Sequence, residues 1–166
     1  MAKRITCAAV LIWILFIIQS TVLTKLNIGG IVPNLLIVLT ACYGFMCGET
    51  FGLLVGFFCG VLMDLFFAPF MGFYAIIFMY LGYLNGKFCN LFYPEDIKLP
   101  LALITTTDLL YGLSCYTFLF LLRGRFNFSY FFGHIIFPEV IATIIFSLIL
   151  YPVLLKLHKL FMVDNR

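Results

Sequence analysis

Six apolar segments, joined by turns only a few residues long, leave this chain one solvent in which to fold. They run at about 5–24, 31–46, 50–67, 72–92, 99–122 and 131–155, and a helix needs roughly 20 apolar residues to cross the hydrocarbon core of a bilayer. Of the 166 residues, 64% are hydrophobic and only 10% charged, whereas a soluble domain carries about 25% charged residues. The expectation is an all-α integral membrane protein, a compact six-transmembrane-helix bundle that occupies 1–166 as one domain and has no soluble catalytic module. With no basic stripe and no aromatic platform outside the apolar segments, nucleic acid is not an expected partner; the lipid bilayer is.

The most patterned stretch lies between Gly44 and Gly86. Gly44, Gly48, Gly52, Gly56 and Gly60 recur at every fourth position, and Asp64 is next in that register. On a helix, positions i and i+4 stack, so Gly52, Gly56, Gly60 and Asp64 form a groove that ends in a carboxyl group. Such a groove lets two backbones approach closely where lipid supplies no hydrophobic drive between helices. Gly48-Glu49-Thr50 reads as a tight hairpin with Glu49 at the membrane surface, which assigns Gly44 and Gly48 to the corner. In the fourth segment Gly72, Ala75, Met79, Gly82 and Gly86 alternate spacings of three and four, a left-handed packing seam. The antiparallel third and fourth spans are therefore expected at the centre, with the groove receiving a companion helix.

Elsewhere the chain gives plainer signals. Lys3-Arg4 followed by an apolar run has the charge and length of a signal peptide, but no small-x-small pattern follows, so a retained first helix is expected. Trp13 sits mid-span and is read as a helix contact. Pro33 opens the second span from a surface turn, and the apolar corner Ala68 to Gly72 is expected to tuck against protein. Leu39-Thr40-Ala41-Cys42 imitates a lipoprotein box inside an apolar run, a chance resemblance. All six cysteines read as small buried apolar residues. Lys3, Arg4, Lys87, Lys98, Lys156, Lys159 and Arg166 on one side against Lys25, Arg123 and Arg125 on the other favour both termini in the cytoplasm.

Three acids fall within spans: Asp64, Asp108 and Glu139. Each costs about 2.5–3.5 kcal/mol at a helix centre, so each should face the interior. No lysine or arginine lies within a span to pair with them. Protonation, hydrogen bonds to hydroxyls, or contact with Arg123, Arg125 or His134 remain open. Asp108 shares a face with Thr105, Gly112 and Cys115, and Glu139 leads a polar ridge with Thr143, Ser147 and Tyr151 at i+4 steps. For Asp64, structural glue and partner binding are both open; for Asp108 and Glu139, glue is the plainer reading. Two histidines at opposite ends of the last span make no metal site, and no serine or cysteine has a base at helical spacing. Neither an enzyme nor a cofactor is expected.

Pro33-Asn34-Leu35-Leu36, Gly52-x-x-x-Gly56-Phe57-x-x-Gly60-x-x-x-Asp64-Leu65, Pro69-x-x-Gly72-x-Tyr74-Ala75 and Gly82-Tyr83-x-x-Gly86, in that order, resemble the rod shape-determining protein MreD family over essentially the whole chain. The resemblance implies a non-catalytic scaffold of the bacterial cell-elongation complex in the inner membrane. Its implied partners are MreC, the MreB filament, and RodA with its class B penicillin-binding protein. It points to Gly52, Gly56, Gly60, Asp64, Gly72, Tyr74, Gly82, Tyr83 and Gly86 as the family's packing or partner-binding positions, and to Pro33 as a family position in a surface loop, where Glu49, Arg123 and Arg125 are also expected. Glu49 departs from the basic residue common at that corner. MreD-like proteins are similar in architecture to the S components of energy-coupling-factor vitamin transporters, the rival expectation, in which Asp108, Glu139 and the aromatics line a ligand pocket. Against it, the first span has Ala8-Ala9 but no Ala-x-x-x-Ala for docking a transport partner.

Overall fold

A computed structural model describes residues 2–23, 32–68, 71–91, 97–120 and 131–163. Their regular structure is entirely helical and falls into six segments. Helix α1 is Ala2–Ile17, continued by π-helical turns at Ile18–Leu23; α2 is Leu35–Cys47; α3 is Glu49–Phe67. Helix α4 is Phe73–Lys87 with a 3-10 extension at Phe88–Leu91; α5 is Lys98–Cys115 with π-helical turns at Tyr116–Phe120; α6 is Phe137–Val163, preceded by π-helical turns at Phe132–Ile136. Among the described residues, three helices are long and apolar enough to cross a membrane, at Ile5–Leu23, Glu49–Phe67 and Phe132–Leu160.

The element that the others surround is α2. Eleven of its 13 residues are buried, and it packs against α1, α3, α4, α5 and α6. A helix that is apolar around its whole circumference belongs inside. The most extensive single interface is nonetheless between α3 and α4, so the expected central pair is the tightest contact while α2 holds the centre.

Burial also explains why α2 is short. It starts at Leu35, not near Ile31, and 13 residues rise only about 20 Å. Asn34 is its N-cap, its side chain accepting the Ile37 N–H at 3.3 Å. Pro33 lies just before that cap and is buried. This corrects its expected place in a surface loop, because the helix begins inside the bundle.

Gly48 alone separates α2 from α3. Its φ of 95° is one that side-chain-bearing residues avoid, and the Gly48 N–H still reaches the Gly44 carbonyl at 2.9 Å. Glu49 then starts α3 in an exposed position, where a negative charge is favoured by the helix N-terminus.

Two further expectations are corrected. Trp13 is 54% exposed, because α1 turns Ala8, Ile12, Leu15 and Phe16 toward the core and the tryptophan away from it. Of the cysteines, Cys42, Cys59 and Cys115 are buried but Cys7, Cys47 and Cys89 only partly so. In the corner after α3, Met71 is exposed, while Pro69 and Phe70 lie outside the described residues. So do most of the hydrophilic loop at 92–96, Lys25, and the basic turn with Arg123 and Arg125.

Candidate functional site

The glycine groove is real, and this chain fills it. A Cβ placed on Gly52 would run into the Gly82 carbonyl oxygen, and one on Gly82 into the Gly52 carbonyl oxygen. On Gly56 it would meet the Phe78 carbonyl, on Gly60 the Ala75 Cα, and on Gly86 the Glu49 Cα. Each obstacle is backbone, so α3 and α4 touch main chain to main chain over three turns. The expected companion helix is α4 itself.

Two glycines change roles. Gly44, expected at the corner, sits inside α2, where an added Cβ would stand 2.7 Å from the Gly82 carbonyl oxygen; three helices thus converge on Gly44, Gly52 and Gly82. Gly72, expected in the seam of α4, touches nothing within 4 Å at its Cβ position and instead has φ 96° as the N-cap of α4. Its requirement is conformational. Phe78, fully buried, and Leu81 occupy the seam with Ala75 and Gly82, while Met79 is half-buried.

Asp64 answers the need that Gly72 creates. A glycine cap has no side chain to accept the first N–H groups of α4, and a helix start leaves four of them unpaired. The Asp64 carboxylate, reaching from α3, accepts the Tyr74 N–H at 2.8 Å and the Ala75 N–H at 2.9 Å. Its negative charge also lies at the positive end of the α4 dipole. Tyr74 packs its ring 6.1 Å from that of Tyr111 on α5. At the other end of α4, Lys87 Nζ stands 4.9 Å from the ring centroid of half-buried Tyr83.

The buried start of α2 is capped by side chains from three places. Besides Asn34, Gln19 on α1 accepts the Leu36 N–H at 3.2 Å, and Thr143 on α6 accepts the Asn34 N–H at 3.2 Å. In α4, Asn85 donates to Thr107 Oγ1 on α5 at 2.8 Å. Gln19, Asn85 and Thr107 escaped the sequence reading, and Asn34 entered it only within the Pro33-Asn34-Leu35-Leu36 motif. Their signal was present, since each is a polar residue in or beside an apolar run, but their partners are 17 to 109 positions away.

Asp108 and Glu139 lie on the other side of α2, on α5 and α6. Gly112 of α5 faces the Ile136 side chain at 3.1 Å from an added Cβ; Thr143 of α6 neighbours Asp108, and the Asp108 and Glu139 carboxyls act on each other electrostatically. Asp108 is 2% exposed, and no backbone N–H reaches either of its carboxylate oxygens. Thr143, Ser147 and Tyr151 are buried as one ridge, and Glu139 is half-buried at its end. Ser147 donates to the Ile144 carbonyl at 2.7 Å. At the far end of α6, His158 Nδ1 is 3.7 Å from Cys47 Sγ.

Among the described residues no three His, Cys, Asp or Glu side chains come together as metal ligands. What the arrangement does is fix helices to one another. The family model described as rod shape-determining protein MreD matches residues 3–161. No curated protein and no solved structure matches the chain.

Proposed function

Because the chain belongs to the MreD family of rod shape-determining proteins, we propose that it is a non-catalytic membrane scaffold of the bacterial cell-elongation complex. In this role it binds MreC directly and helps couple MreB filaments to the RodA transglycosylase and its class B penicillin-binding protein in lateral wall synthesis. The family match over 3–161 carries the proposal. An interior devoted to helix-to-helix contact supports it, since a scaffold needs a rigid body more than a reaction site.

The bundle crosses the cytoplasmic membrane six times, with both termini in the cytoplasm. Beyond the three helices of full spanning length, α4 and α5 reach it with their 3-10 and π-helical extensions, and α2 crosses as an enclosed helix. Fusing topology reporters at either terminus tests this: two cytoplasmic readings are expected, and opposite readings would require an odd number of crossings.

With the groove filled from within, MreC binds the outward surface of the bundle, and the glycines act on association only through the fold. The test is depletion of this protein in its own host, together with co-purification of the tagged full-length chain with MreC. Rounded cells and a stable MreC complex are expected. Persistent rods without the protein would overturn the proposal.

A further inference from the structure

We propose that the groove between α1 and α3 seats one acyl chain of an anionic phospholipid from the leaflet at the N-terminal end of α1. The two helices run side by side in the same direction. Toward their C-terminal ends Phe16 packs on Phe66 and Phe67, with ring centroids 5.0 and 6.1 Å apart, and this contact closes the groove. Toward their N-terminal ends the helices part. Ala8, Ile12, Val55 and Leu62 make a buried floor there, and Trp13 and Phe58, each more than half exposed, make the rims. The space between them is about 320 Å³.

The dimensions choose the occupant. From Phe51 to Leu62 the groove rises about 17 Å along α3, the depth of one leaflet of a hydrocarbon core about 30 Å thick. Spread over that length, the volume gives a cross-section of about 19 Å², the girth of a single hydrocarbon chain. A helix about 10–12 Å across has a section of about 80–110 Å², and one that spans the membrane would have to continue past the closed end, whereas a fatty chain stops at the midplane. Of the side chains that line the groove only Trp13 carries a polar atom, so any choice among lipids must be made at the mouth. Lys3 and Arg4 lie there in the first turn of α1, against Glu49 at the start of α3. Two basic residues over one acid favour an anionic headgroup, because lysine and arginine at a membrane surface attract such lipids. On the topology proposed above this leaflet is the cytoplasmic one, but the fit of the chain does not depend on that reading.

Trp13, the single tryptophan of the chain, reports on the groove from its rim. The test reconstitutes the full-length protein in phosphatidylcholine vesicles that contain rising fractions of phosphatidylglycerol or phosphatidylcholine brominated at mid-chain, and follows tryptophan fluorescence. Bromine quenches on contact, and passing neighbours quench alike whatever their headgroup. Saturable quenching by phosphatidylglycerol is expected at a mole fraction about fivefold or more below that needed with phosphatidylcholine, the effect of one basic residue engaged at the surface. Ala9→Phe, at an exposed position of the lining, fills the groove without entering the core and should abolish the difference. Lys3→Gln with Arg4→Gln should shrink it while quenching by both lipids persists. Equal quenching by the two lipids in the wild type, or a preference that survives Ala9→Phe, would overturn the proposal. So would an Ala9→Phe protein that keeps its lipid preference and loses MreC, since a partner helix would then hold the groove. A periplasmic reading at the N-terminus would exchange the leaflet and leave the quenching unchanged, so the proposed topology and the lipid site fail separately.

Discussion

On the α3–α4 side of α2 and on its α5–α6 side, the bundle buries acids by opposite means. Toward α3 and α4, glycines bring main chain against main chain, and Asp64 spends both oxygens on backbone N–H groups. Toward α5 and α6, contact is through side chains, as where Gly112 meets Ile136. Hydroxyls there bond back to their own helices, as Thr105 does to the Leu101 carbonyl at 2.8 Å, and Asp108 takes no backbone N–H. The helix ends on this side pass through π-helical turns at Tyr116–Phe120 and Phe132–Ile136, a form that recurs at functional sites. One side is therefore a fixed joint. The other is joined through side chains.

The largest effect should come from breaking the joint. Gly56→Leu puts a branched side chain where even a Cβ overlaps the Phe78 carbonyl, and that oxygen cannot move without carrying α4 with it. The folded protein should fail to accumulate. Gly56→Ala should fold but lose about 1–3 kcal/mol to overpacking, read as a fall of about 2–4 °C in unfolding temperature per kcal/mol for a chain this size. In cells both variants should lose MreC association in step with stability. A stable Gly56→Leu protein that no longer binds MreC would return the groove to the partner and remove the contrast.

One substitution made on both sides gives the next effect, with opposite signs. Asp64→Asn leaves one acceptor for two N–H groups and turns an NH2 toward the other, so a loss of about 1–3 kcal/mol is expected from the unsatisfied donor. Asp108→Asn removes a buried carboxylate that no backbone N–H supports, and it should be neutral or stabilising, as when an uncompensated buried charge is taken away. Equilibrium unfolding of the two variants beside the wild type decides the matter. Equal losses would mean that the two acids are held alike.

How far the sequence reached follows the same division. The furrow could be read because glycines at i+4 on an apolar helix have one structural use, and the acid at its end followed from the register. What fills the furrow could not, since the pattern specifies a close neighbour without saying whose. The central place of α2 was hidden because an all-round apolar helix in lipid reads like any lipid-facing span. Its true start at Asn34 depends on Gln19 and Thr143 arriving from distant parts of the chain. Asp64 and Asp108 look alike as single acids in apolar runs; only the corner at Gly72, with its left-handed φ, gives the first its two donors.

The smallest effects should come from glycines that the joint does not use. At Gly112 an added Cβ meets only Ile136, at 3.1 to 3.4 Å, and a side chain can yield by a few tenths of an ångström where a carbonyl cannot. The gain in helix propensity of about 1 kcal/mol on replacing glycine by alanine then competes with a modest repacking cost, so Gly112→Ala should shift stability by less than about 1 kcal/mol. Gly133 has nothing within 4 Å of its Cβ position and is exposed, so Gly133→Ala should be neutral or stabilise by about 0.4–1 kcal/mol through the unfolded chain. Measured beside Gly56→Ala, the three form a series in which only the material that the new methyl meets changes: backbone, side chain, or open space. If Gly112→Ala costs as much as Gly56→Ala, the α5–α6 contact is as rigid as the glycine joint, and a looser, adjustable side no longer exists.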